Sequence, residues 1–198
     1  METTWDQEKV NPVPAERAKQ SNAREGLRVV VFRLAGHEHA VEVGRVKEIV
    51  SARKIIPVVE APPFVEGVIR LRGKIIPIID LRKRLRLPPA ERTFENCIIM
   101  IHLPKGVVGF LVDSASRLLT VPTGQIQPPT EMVGGICTRF IEGLAFLKDH
   151  FLVILDLNEV LTVDEKELLG EANFQPGDRS EPATIRFSGE GSGNDSGR

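Results

Sequence analysis

The chain of 198 residues has no tyrosine, one tryptophan, two cysteines and four histidines, and each scarcity removes a class of function. Single-strand nucleic-acid binders set aromatic stacking platforms beside their cations; the most basic stretch here, Phe64 to Arg92, has Phe64 as its only aromatic, with Phe94 just beyond. Nucleic acid is therefore not an expected partner. Cys97 and Cys137 lie 40 residues apart with no CxxC spacing, which argues against zinc and gives no reason for a disulfide. Both read as free, packed thiols. His37 and His39 flank Glu38 at a hairpin and supply at most two ligands, short of a metal site; they read as solvated turn residues, and His102 and His150 offer little for a catalytic base.

No run approaches the roughly 20 apolar residues that span a bilayer. The first residues carry Glu2, Asp6 and Glu8 and lack the apolar core of a signal peptide. A cytoplasmic protein with no direct membrane insertion is expected. There is no GxSxG elbow and no GxGxxG after a strand, and Gly67 is spaced one residue too far from Gly73-Lys74 for a phosphate loop, with Ile75 where Ser or Thr is required. No catalytic residue, metal or cofactor is expected, and the protein reads as one that docks to others.

Apolar residues make up 41% of the chain, mostly Val, Ile and Leu, and that β-branched bias favours strands. Net charge is -1, yet Phe64 to Arg92 holds eight basic and three acidic residues, whereas Asp164 to Arg198 holds four basic and eight acidic. Leu81 and Leu85 at i, i+4 make Arg82, Lys83, Arg84 and Arg86 the solvated face of a short helix.

Residues 1–26 and 170–198 are poor in large aliphatics and rich in Pro, Gly, Ser and charge, so they read as flexible tails; Trp5, Phe174 and Phe187 are stray aromatics within them. Between the tails, short apolar runs punctuated by glycine predict strands at 28–35, 38–43, 67–72, 74–79, 97–103, 107–112, 139–147 and 150–155. Short helical stretches are expected at 43–50, 81–86, 157–161 and 164–169.

The most informative feature is an internal repeat. Phe64 to Leu81 aligns without a gap on Phe140 to Leu157, with seven of 18 positions identical, and Ala40 to Val50 resembles Gly109 to Leu119. The first offset is 76 residues and the second 69, so a seven-residue insertion is needed, placed around Pro122 to Gly135. Asp80 and Asp156 occupy matching places and read as caps of the turns that follow. Duplication implies an all-β, mainly β fold with short helices: two intertwined barrels of about five strands each, at about 27–90 and 91–169, with a groove between them where partners bind.

Gly67-Val68-Ile69-Arg70-Leu71-Arg72-Gly73, followed by Pro77, Asp80 and Leu81, resembles the signature of the CheW family of chemotaxis coupling proteins. The resemblance spans about residues 26–169 and includes Val46-Lys47-Glu48-Ile49 and Phe110-Leu111-Val112-Asp113. It implies two SH3-like barrels and a non-enzymatic adaptor joining chemoreceptors, at the tip of their cytoplasmic hairpin, to the regulatory domain of the histidine kinase CheA, at the inner membrane face and with room for assembly into arrays. The family's partner-contact arginine matches Arg72 and its turn glycine Gly73; the valine and glutamate near the receptor-contact surface match Val46 and Glu48. Arg70 stands where the family has Asn and adds a charge beside the contact. Alternatives stay open at each: Arg72 pairing with Glu66, Val46 packing in the core, Glu48 as a solvated helix residue. A coupling protein of a non-flagellar chemosensory pathway, or a regulatory barrel of another signalling protein, are the competing functions.

Overall fold

The computed structural model describes residues 26–52, 55–59, 61–104, 106–129, 138–147, 151–171, 173–175 and 183–186. Cys137, His150, Trp5, Phe187 and part of the expected insertion lie outside these residues. Strands β1 (Leu27–Leu34), β2 (His37–Glu42), β3 (Val46–Ser51), β4 (Val58–Val59), β5 (Val65–Leu71) and β6 (Lys74–Asp80) precede helix α1 (Leu81–Arg84). Then come β7 (Cys97–Leu103), β8 (Gly106–Val112), β9 (Ser114–Val121), β10 (Ile126–Gln127), β11 (Ile141–Phe146), β12 (Phe151–Leu155), helix α2 (Val163–Glu171), β13 (Asn173–Gln175) and β14 (Ala183–Arg186).

Two sheets form the body, in the orders β10-β11-β12-β2-β1-β9 and β3-β7-β8-β6-β5. Both curl. A flat sheet sets neighbouring strands about 4.8 Å apart, so the edges of the first would lie about 24 Å apart. Yet β9 ends at Val121 and β10 begins at Ile126, with a compact 3-10 turn, Thr123–Gln125, between them. In the second, Arg72, at the tip of the hairpin that edge strand β5 forms with β6, reaches Glu48 on the opposite edge strand β3 at 3.0 Å. The expected pair of small barrels is therefore what the chain builds.

The strands read as continuous apolar runs because both of their faces are buried. On β1, Val29 and Val31 face a core with Ala40, Val121, Ala145, Leu152 and Ile154; Val30, Phe32 and Leu34 face the other way into a larger core shared with the second sheet. β7 does the same, with Ile98 and Met100 joining Ile69, Ile76, Ile78 and Leu111 while Ile99, Ile101 and Leu103 enter the shared core. Each barrel thus has its own interior, and a common seam lies between them. At about 1.5–3 kcal/mol for each fully buried aliphatic side chain, this seam makes the two barrels one unit.

The duplication is visible in the hydrogen-bonding register. Val29↔Glu42 recurs 69 residues on as Ile98↔Leu111. Val65↔Ile79 and Gly67↔Ile78 recur 76 residues on as Ile141↔Leu155 and Gly143↔Ile154, each pair straddling a bulge at a glutamate, Glu66 or Glu142. Parallel Ile78↔Gly109 is matched by Ile154↔Ala40.

Five expectations are corrected. The barrels do not divide near residue 90: hairpin β1–β2 pairs with β9 and β12, and β3 and β6 pair with β7 and β8, so each sheet draws strands from both halves. The stretch 43–50 is not helical; after a 3-10 turn at Val43–Arg45 it is strand β3. Residues 157–161 form turns, whereas α1 and α2 fall where helices were expected. His39 is not solvated: it is 3% exposed, stacked on Phe32 at 5.8 Å between ring centroids, and burial pushes its pKa below the usual histidine value. Within the segment read as a C-terminal tail, β13 and β14 form an antiparallel hairpin, and β14 runs parallel to β4.

Candidate functional site

The hairpin joining β5 to β6 has a two-residue turn, Arg72-Gly73, with φ of 49° and 77°. Such a turn matches the twist of its flanking strands and needs positive φ at both positions. Gly73 adopts this freely, whereas Arg72 carries a Cβ into the left-handed region at about 1–2 kcal/mol. Arg72 remains 75% exposed, and its Nη2 donates to Glu48 Oε2 at 3.0 Å. Glu48 is placed there by β3, whose alternation points Val46, Glu48 and Val50 inward and leaves Lys47, Ile49 and Ser51 exposed.

Three of the residues singled out from the sequence, Arg72, Gly73 and Glu48, therefore meet at one tip. Arg70, exposed on β5, stands beside it and has no ion-pair partner among the described residues. Val46 faces the shared core and pairs with Ile101 in the ladder. Glu66 is not the partner of Arg72; it accepts from Lys83 and Arg92, each at 2.6 Å.

The basic run after β6 is likewise engaged. Arg82 Nε donates to Asp113 Oδ1 at 2.7 Å, and Arg84 donates to the Val160 carbonyl at 2.7 Å and to Glu165 at 2.9 Å. These arginines are 17% and 16% exposed, so they clamp α1 to the rest of the fold. The bonds were hidden in the sequence because Asp113 and Glu165 lie far along the chain. Asp80 does cap α1, accepting from the Lys83 N–H at 3.2 Å. Its repeat counterpart Asp156 accepts from the Asn158 N–H at 2.9 Å and also pairs with Arg45, which bonds Glu42 and Glu142 as well. Burial pushes the Asp156 carboxyl up, but hydrogen bonds from Arg45 and from the Asn158 and Glu159 N–H groups outweigh it and hold the group below its ordinary value. Glu142 goes the other way, raised by burial and by Asp156 and Glu42 despite Arg45.

Sequence reasoning placed a groove between the barrels without naming its walls. A groove of about 710 Å³ opens between the β1–β2 hairpin and the segment after α1, lined by Leu34, His37, His39, Leu87, Phe151 and Val153. Arg33 and Arg117 stand at its rim, and Arg117 makes two 2.9 Å bonds to Glu38. Phe151 is 63% exposed and meets the 42% exposed Phe146 edge to face, with centroids 4.6 Å apart. Among the described residues no cluster of His, Cys, Asp and Glu is placed to hold a metal, and none of the helices described is long and apolar enough to cross a membrane.

Paired barrels that present a charged hairpin tip and a separate, half-apolar groove define an adaptor, a protein whose work is to hold others in place. Comparison with known proteins gives the same answer. Residues 28–165 match the family model of the CheW-like domain. The chemotaxis protein CheW of Bacillus subtilis is 37% identical over 142 residues, covering 72% of this chain and 91% of that protein; that of Rhizobium meliloti is 33% identical over 142 residues, covering 72% and 92%. The crystal structure of the scaffolding protein TtCheW from Thermoanaerobacter tengcongensis superposes with a TM-score of 0.65 at 33% identity, covering 71% of this chain and 90% of that one. The chain belongs to the CheW family, the coupling adaptors of chemotaxis.

Proposed function

We propose that this protein joins chemoreceptors to the histidine kinase CheA at the inner membrane face, and that the Arg72-Gly73 tip is one of its two docking faces. Coupling needs two faces usable at once. The tip on the β5–β6 hairpin supplies an exposed guanidinium that, among the described residues, donates to Glu48 alone, leaving a fork for a partner's carboxylate or carbonyls. The groove beside β1–β2 supplies apolar surface and a cationic rim for the second partner. Glu48, which the resemblance puts near the receptor contact, here serves the tip by orienting Arg72, so the kinase's regulatory domain takes the tip and the receptor's cytoplasmic hairpin takes the groove.

The observation that carries this reading is Arg72 itself: a charged residue held in a backbone conformation that disfavours it, three-quarters exposed, at the place where the family has its partner-contact arginine. Titration calorimetry with the regulatory domain of the kinase tests it. Arg72→Glu is expected to weaken kinase binding at least tenfold and to leave receptor binding intact. Exchanging the charges, Arg72→Glu with Glu48→Arg, is expected not to restore it, because the guanidinium acts on the partner. Full kinase affinity in Arg72→Glu would remove the tip from the interface.

A further inference from the structure

The family match ends at residue 165, and the two curated relatives described above are covered to 91% and 92% of their lengths by a match that spans 72% of this chain. The C-terminal stretch is thus additional to the shared domain. It does not simply trail away: β13 and β14 pair as Asn173↔Arg186, Phe174↔Ile185 and Gln175↔Thr184. β14 then pairs in parallel with β4, through Ala183↔Val58 and Thr184↔Val59.

β4 adjoins the edge strand β5 of the second barrel, the one built on β3-β7-β8-β6-β5. It lies between β3 and β5, and two residues before it Ile56 bridges Val68 on β5 with reciprocal N–H to carbonyl bonds of 2.9 and 2.8 Å. The strand that approaches β5 therefore has its other edge turned outward, where unpaired N–H and C=O groups accept any extended segment that reaches them. In this chain that edge is filled from within. Val59, 46% exposed, marks how open the surface is there.

We propose that β4 is a strand-accepting edge of the barrel built on β3-β7-β8-β6-β5 and that strands β13 and β14 are its built-in ligand, docked in cis. The ligand class is an extended peptide that adds in parallel register, read through its main chain. Val58 and Val59 stand near the Val65 end of β5, and Arg72 beyond its Leu71 end. Six steps of strand at about 3.3 Å put the two about 20 Å apart, so the docked hairpin leaves the Arg72 tip open. The inference is independent of the function proposed for that tip.

Hydrogen exchange on the full chain tests it. Thr184→Pro removes an N–H from the central strand of the three-stranded sheet, where proline is excluded; Ser192→Pro, beyond β14, is the control. Exchange in the segment 55–59 is expected to rise at least tenfold in Thr184→Pro and not in Ser192→Pro, while the β7 core around Ile99 stays protected in both, showing that the barrels are folded. A synthetic peptide of residues 173–186 added to the Thr184→Pro protein is expected to restore the protection. Unchanged exchange at 55–59 overturns the docking, and exchange that rises but is not restored by the peptide overturns the accepting edge.

Discussion

At the scale of the residue, most of the candidate site was legible as residue types but not as partners. Gly73 is legible as a turn glycine between apolar strands and Arg72 through the resemblance to the CheW signature; that Glu48 would answer Arg72 is not legible, because the pair is 24 positions apart and depends on sheet closure. An exposed pair of this kind is worth less than about 1 kcal/mol. Arg72→Asn is therefore expected to leave the fold as stable or up to about 1 kcal/mol more stable, since Asn tolerates positive φ, while losing the kinase; urea unfolding and calorimetry on one preparation separate these effects. The Arg45 cluster shows where charge does bear on stability. Asp156, with its pKa depressed, contributes stability that is present above the ordinary carboxyl range and lost as pH falls through its folded value. Glu142, with its pKa raised, contributes in the opposite sense, favouring the fold when protonated and losing that as pH rises. Asp156→Asn is expected to cost about 2 kcal/mol at neutral pH and progressively less as pH falls below the ordinary carboxyl range and through the folded value of Asp156, whereas Glu142→Gln costs less or stabilises at neutral pH. Equal losses would contradict the assignment. Cys97 is buried, and burial pushes its thiol up to about 11; in a Cys137→Ser background it is expected to resist thiol reagents at about pH 8 until the protein unfolds.

At the scale of the element, glycine turns and β-branched runs revealed the hairpins, and long-range pairing stayed hidden. The stretch 43–50, where a short helix is expected, is instead a 3-10 turn followed by strand β3. Its burial alternates with a period of two from Val46 to Ser51, but the strand is short and its partner β7 begins far downstream. The glycine shared by the two repeats, Gly67 and Gly143, is a matter of close approach. At Gly67, with φ of 145°, a Cβ would strike the carbonyl oxygen of Ile56, which is backbone in a bridge and cannot yield. At Gly143 the obstacle is the Ile126 Cγ2 methyl, at 2.6 Å, a side-chain terminus. Gly67→Ala is accordingly expected to cost about 3 kcal/mol and Gly143→Ala clearly less, as measured by thermal or urea unfolding. The reverse order would mean that the strand carrying Ile56 is not held against β5.

At the scale of the whole molecule, the repeat predicted two barrels, and it hid how they are assembled. Intertwined barrels are expected from the sequence, but not what they exchange; here each copy lends its first hairpin to the other, so Val29 and Val31 fill one interior with Leu152 and Ile154, and Ile98 and Met100 fill the other with Ile76 and Ile78. Nothing in local periodicity distinguishes lending from keeping, because both give strands the same buried faces. The consequence is testable. Fragments 27–90 and 91–169 are each expected to lack cooperative unfolding by circular dichroism and to regain it when mixed; a fragment that folds alone would contradict the exchange. The adaptor reading rests on two faces held at fixed geometry by that shared seam. Its most direct measurement is co-sedimentation of the kinase with receptor-bearing membranes. The account predicts that the kinase pellets only when this protein is present, and that Arg72→Glu pellets with the membranes but leaves the kinase in the supernatant. Kinase that pellets equally well with Arg72→Glu, or without the protein at all, would contradict it.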